Sequence, residues 1–176
     1  MATNAPYRIS IAAASLLAVG GQAWSAEANL QLEIPALNVA EYHKPYVAVW
    51  LEKPGESRAV AQVALWYDVK KPNNGGAKWL NDMRQWWRAG GRALALPVDG
   101  VTSATRPVGQ HTVDLTAALN QAKLPAGAYE VVVEAAREGG GRAVQRLPLT
   151  LPISTASQAK AQGDGELGAL RLEVKP

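Results

Sequence analysis

The chain has 176 residues, with 18 basic and 15 acidic side chains and a formal net charge of +3. That length supports one domain with a real core, and a charge so near balance excludes the polybasic footprint of a nucleic-acid binder. Cysteine is absent, which excludes disulfides, thiolate metal sites, iron–sulfur clusters and the C-x-x-C-H haem attachment. Phenylalanine is absent too, so six Trp and five Tyr carry all the aromatic packing.

Residues 1–25 read as an export signal. Arg8 supplies the positive front, Ile9 to Val19 an uncharged apolar run, and Gly20 to Ala26 a small-residue exit. Cleavage after Ser25 uses Ala23 and Ser25 as the small positions; cleavage after Ala23 uses Gly21 and Ala23. The run falls short of the roughly 18 apolar residues a membrane span needs. Losing Arg8 lowers the basic count from 18 to 17 against 15 acids, a net charge of +2. The expectation is an exported, periplasmic protein that does not span a membrane after cleavage, with residues 27–176 as a single domain.

Asn29 to Ile34 alternates Leu30, Leu32 and Ile34 with polar residues, a half-buried strand stopped by Pro35. Tyr46 to Glu52, bounded by Pro45 and Pro54-Gly55, is a second strand, and Val60 to Asp68 a third, apolar on both faces. From Lys78 the period changes: Trp79, Met83, Trp86 and Trp87 fall at i, i+4, i+7 and i+8, one face of a helix. Gly90-Gly91 ends it. This is the one helix expected in the mature chain, packed across an opening of the fold. Adjacent helical residues diverge by about 100°, so one of Trp86 and Trp87 buries and the other stays partly exposed near Arg88.

Asp99 to Pro107 reads as a hydroxyl-rich loop. Asp99-Gly100 is a turn signal, Thr102 to Thr105 a short extended piece, and Arg106-Pro107 the close of the loop. Further strands follow at Gln110 to Leu115, at Tyr129 to Ala136 after the Pro125-Ala126-Gly127 turn, and at Arg142 to Leu151 after a glycine hairpin. Pro148 marks that last strand as an edge. Thr155 to Gly165 reads as a loop, and Leu170, Leu172 and Val174 close the chain as a strand. About eight short strands with turn signals between them and one helical insertion after the third predict an all-β, immunoglobulin-like antiparallel sandwich.

The segments Tyr42 to Trp50, Ala64 to Tyr67, Arg84 to Gly91 and Asp99 to Pro107 resemble a family of exported bacterial proteins, the predicted periplasmic "domain of unknown function twenty-two seventy-one". The resemblance runs from about residue 29 to the C-terminus. It implies an association with PepSY-type membrane redox proteins and flavin transferases. Asp99-Gly100-Val101-Thr102-Ser103-Ala104-Thr105 is also similar to the acceptor motif of covalently flavinylated domains, Asp-x-x-Ser/Thr-Gly-Ala-Ser/Thr. In that motif the last hydroxyl carries flavin mononucleotide (FMN) through a phosphoester. Asp99, Thr102, Ala104 and Thr105 match; Ser103 stands where the motif has glycine. A position demanding positive φ or close backbone approach would not accept that serine.

The resemblance implies a covalent FMN on Thr105, with Asp99 holding the turn, Thr102 and Ser103 bonding its backbone, and Arg106 near the phosphate. Trp86 or Trp87, with Arg88, would line the flavin pocket. The rival reading is a cofactor-free binding module that presents a Trp-rich opening to a partner protein or small ligand; a third is a metal carrier built on His43 and His111. No G-x-S-x-G, H-E-x-x-H, Walker or EF-hand pattern occurs. The chain therefore reads as an electron carrier or a binding domain before a self-contained enzyme.

Overall fold

Period-two burial organises the chain. The computed structural model describes residues 26–176, and the export signal assigned to residues 1–25 lies outside the described residues. In chain order the strands are β1 (Glu27–Ile34), β2 (Tyr46–Glu52), β3 (Ala61–Tyr67), β4 (Thr102–Ala104), β5 (Gly109–Asp114), β6 (Gly127–Ala136), β7 (Arg142–Leu151), β8 (Ser157–Gln162) and β9 (Ala169–Lys175). Helix α1 (Arg84–Ala89) precedes β4, and α2 (Thr116–Ala122) follows β5. The strands form a four-stranded sheet, β5-β1-β9-β8, and a five-stranded sheet, β4-β3-β2-β6-β7.

Between the sheets, Leu30, Leu32 and Ile34 of β1 and Leu170 and Leu172 of β9 meet Val47, Val49, Trp66, Val131 and Val133. Each such side chain contributes about 1.5–3 kcal/mol when fully buried, which makes this layer the main source of stability. The expected all-β sandwich is what forms. β7 is the outer strand of its sheet, as Pro148 requires, and all the pairings are antiparallel except β3 with β4.

The five-stranded sheet is apolar on its outer face as well. Ala48, Trp50, Leu65, Tyr67 and Val132 form a second cluster with Leu80, Met83, Trp86 and Ala89. The helical insertion therefore covers a sheet face, and does not pack across an opening as expected. The segment begins as a 3₁₀ run, Pro72–Asp82, interrupted at Asn73 and Asn74, and becomes α-helical only at Arg84, burying Leu80, Met83, Trp86 and Ala89. The α-helical period expected from Trp79 therefore does not carry through, and Trp79 ends 39 % exposed. Trp86 is fully buried while Trp87 is half-buried. A Cβ at Gly91 would stand 2.6 Å from the Trp86 ring, so only glycine lets the chain fold over it.

Glu134 locks this layer to the sheet. It is fully buried on the outer face of β6, where its carboxylate accepts from the Trp86 amide at 2.7 Å and the Gln85 amide at 3.2 Å. These are orphan donors of the first turn of α1, capped here by a residue 48 positions away in sequence. Arg142 balances the charge with a 3.0 Å bond from Nη1. Glu52 plays a parallel part, accepting from Trp50 Nε1 at 2.7 Å.

Two elements depart from expectation. Residues 157–162 form β8, paired with β9 from Ser157↔Val174 to Gln162↔Ala169, where a loop was expected. Its period-two signal is carried only by Ala159 and Ala161, which pack on the core. Helix α2 also goes beyond the single helix expected. Asp114 Oδ1 accepts from the Thr116 amide at 2.7 Å, and Lys123 ends the helix in the left-handed conformation. Leu115 beneath it is fully buried.

Removing the Glu134 carboxylate strands two helix amides beside an apolar layer and takes away the partner of the solvent-exposed Arg142. Glu134→Ala is expected to lower unfolding free energy by about 3 kcal/mol. Glu134→Gln, which keeps an acceptor, is expected to cost clearly less in the same urea titration. Equal losses for the two variants would contradict this role.

Candidate functional site

Thr105 is positioned by the one parallel pairing in the fold. The chain reaches β4 through a tight turn: the Thr102 amide donates to Val98 O at 2.9 Å, and Thr102 Oγ1 accepts from the Val98 amide at 2.9 Å. Gly100 takes φ of 71°, which the turn requires and glycine permits. Asp99 is exposed at its tip. β4 then runs beside the end of β3, with Leu65↔Thr102, Trp66↔Ser103 and Tyr67↔Ala104 in register. Ser103 is thus extended strand, which any residue adopts, so the position makes no demand for positive φ.

The Thr105 amide donates to Tyr67 O at 3.3 Å. Its side chain is half-buried, and no hydrogen bond among the described residues uses its hydroxyl. It lines a cleft of about 340 Å³ at the end of the five-stranded sheet. Tyr42, His43, Lys44, Tyr46, Asp68, Lys71 and Glu138 line it with Thr105. Tyr46 donates from its hydroxyl to Gly76 O at 3.1 Å and meets Tyr67 edge-on at 6.2 Å. His43 stands 3.1 Å from Glu41, and Lys71 Nζ 4.0 Å from Glu138. Lys44 makes no ion pair among the described residues.

The expected pocket residues divide between two places. Arg106 lies 5.3 Å over the ring of Trp66, which faces the core between the sheets, and it does not line the cleft. Trp86 bonds Gln62 from Nε1 at 2.9 Å, five residues along β3 from Tyr67, roughly 17 Å at strand rise. Neither Trp86, Trp87 nor Arg88 lines the Thr105 cleft. Trp50, Trp66 and Trp86 are buried, so among the described residues only Trp79 offers a broadly exposed indole. His111 packs edge-on against Trp66 at 5.7 Å and reaches Pro107 O at 2.7 Å, far in role from His43. No group of three metal-ligating side chains occurs among the described residues.

The model of a family described as Predicted periplasmic protein (DUF2271) matches residues 27–169. The chain belongs to that family. The match spans the sandwich from β1 to the start of β9, including the Thr105 loop. No curated protein and no solved structure matched the chain. Among the described residues of this family member, no helix is long and apolar enough to cross a membrane.

The cleft aromatics were the part the sequence hid. Tyr42, Tyr46 and Lys71 come from segments distant from the loop, and only the β3–β4 pairing brings them to Thr105. Burial raises the phenol pKa of Tyr46 above its ordinary value of 10.0, and raises that of Tyr42 and Tyr67 likewise. A raised acid binds its proton more tightly folded than unfolded. Its stabilisation is complete below the unfolded pKa and is lost as pH rises through the folded one. Absorbance titration at the phenolate band is expected to show tyrosines ionising above pH 10 with the fold loosening in step; ionisation of all the phenols at 10.0 would contradict it.

Proposed function

We propose that this exported domain is a covalently flavinylated electron carrier with FMN on Thr105. One observation carries the reading. The last hydroxyl of the Asp99–Thr105 loop has no hydrogen-bond partner among the described residues and opens on a cleft of about 340 Å³ lined by two phenols, an imidazole, two ammonium groups and two carboxylates. Of these, Lys44 and Lys71 suit a phosphate, with Lys71 shared with Glu138 and Asp68 beside them, and the Tyr42 and Tyr46 rings suit a flat aromatic. Bound flavin supplies reversible one- and two-electron chemistry. The chain's own contribution is to hold it, shelter one face and fix its distance to a partner.

Loading joins Thr105 Oγ to the flavin-side phosphorus of flavin adenine dinucleotide (FAD) and breaks the diphosphate bond. Adenosine monophosphate leaves with the bridging oxygen, and the hydroxyl proton passes to base. The reading needs a flavin transferase for this step and a PepSY-type membrane protein as redox partner. The rival, a binding module with a Trp-rich surface, has little to present, because the tryptophans mostly serve the two cores.

Mature protein incubated with a flavin transferase and FAD is expected to turn yellow and to gain the mass of FMN less water. Thr105→Ala is expected to stay colourless, and Thr105→Ser to load. Thr102→Ala, which frees the Val98 turn, is expected to load more slowly by several-fold, a loss of the order of one hydrogen bond. Colourless wild-type protein, or colour retained by Thr105→Ala, would overturn the reading.

A further inference from the structure

The two sheets are sealed against each other unevenly. Along the middle strands the inward side chains are closed off, with Leu30, Leu32, Val47, Val131 and Val133 fully buried. The seam between β7 and β8 is different. β7 is the outer strand of one sheet and β8 of the other, no ladder joins them, and residues 152–156 cross from one to the next. β8 offers the core only Ala159 and Ala161, which stay half-buried and are too short to close the gap. A slot of about 410 Å³ remains there. β7 and β4 are opposite edges of the five-stranded sheet, so the slot lies away from the Thr105 loop.

Its floor is apolar: Leu149, Ile153, Leu172 and Val174 all belong to the core between the sheets. Its rim carries hydroxyls, those of the exposed Thr150, Ser154, Thr155 and Ser157. None of the twelve lining residues is ionisable. The charges of the same strands lie elsewhere. Lys160, Arg171 and Glu173 alternate with the inward residues and so face the outside of the sheet, where Arg171 pairs with Glu173. Arg146 of β7 is held by Glu52 and Glu130.

We propose that this slot binds an uncharged amphiphile, an unbranched alkyl chain with a hydroxyl or ether head. The chain lies on the apolar floor and the head meets the hydroxyl rim. A volume of this size, apolar below with a few polar groups above, is that of a small-molecule site. Water is a poor tenant, because a buried water needs about three hydrogen bonds and the four floor side chains offer none. The lining also selects against charge. A carboxylate or ammonium entering it sheds hydration and finds no counter-ion inside, whereas each methylene laid on the floor adds affinity. The site is independent of the flavin reading.

Mature protein titrated at neutral pH with 1-octanol and, separately, with octanoate tests this. The readout is the magnetic-resonance shift of the Leu149, Ile153, Leu172 and Val174 methyl groups. Octanol is expected to shift them saturably, and octanoate to bind at least about tenfold more weakly. Ala159→Leu, which fills the slot from β8, is expected to abolish octanol binding with the melting temperature unchanged or raised. Thr155→Lys, on the exposed crossing, is expected to bring octanoate up to the affinity of octanol, and it keeps the test decisive should Ala159→Leu fail to fold. Octanol that leaves the methyl groups unmoved, binds no better than octanoate, or keeps its full advantage in Thr155→Lys overturns the site. A dimer in sedimentation whose slot admits no octanol gives the seam to a second copy, and overturns it too.

Discussion

Three residues of parallel pairing decide what this molecule presents to the outside. β4 is only Thr102–Ala104, in register with Leu65, Trp66 and Tyr67, and it delivers Thr105 to the end of the sheet, where it lines the cleft with Tyr46. The strand alternation stops there. Continued by the pleat, Thr105 would share the face of Ser103 and its inward-facing partner Trp66, yet it is Arg106 that lies over the Trp66 ring. The chain therefore turns out of the sheet immediately after Ala104. The turn from Val98 to Thr102 guards the register of β4, because the Thr102 hydroxyl and amide both bond Val98.

That short edge strand can hold its place because β3 beside it is immobilised on both faces. Inward, Trp66 is packed among the core side chains; outward, Leu65 and Tyr67 lie beneath the helical layer. The layer is held down by apolar contact and by the Glu134 carboxylate, which performs from a neighbouring strand the task usually given to a residue at the helix start. A buried carboxylate is costly without partners. Here two amides and one guanidinium satisfy it, so the polar group specifies where the insertion sits while the apolar residues supply most of the energy.

Much of this was legible in the residues. Alternation in Leu30-Leu32-Ile34 and in the Tyr129 to Ala136 run announced strands, Pro148 announced an edge, and Asp99-Gly100 announced the turn that β4 needs. The rest was hidden for physical reasons. Ala159 and Ala161 bury too little surface to raise a strand signal for β8, so its polar neighbours read as a loop. The spacing of Trp79, Met83 and Trp86 suits an α-helix, but the chain begins as 3₁₀, and Leu80 replaces Trp79 as the buried residue. The cleft was the least legible, since Tyr42, Lys71 and Thr105 share no local pattern and meet only through the sheet. Trp86, Trp87 and Arg88 look like pocket residues in sequence, but none of them lines that cleft.

The central claim is that the Thr105 hydroxyl is the anchor and the neighbouring cleft the berth of a flavin. A crystal structure of the loaded domain tests it most directly. The account predicts electron density continuous with Thr105 Oγ through a phosphodiester, with the ring system lodged in the cleft against Tyr42 and Tyr46. Density attached to another hydroxyl, or a flavin on Thr105 directed away from an empty cleft, would contradict it.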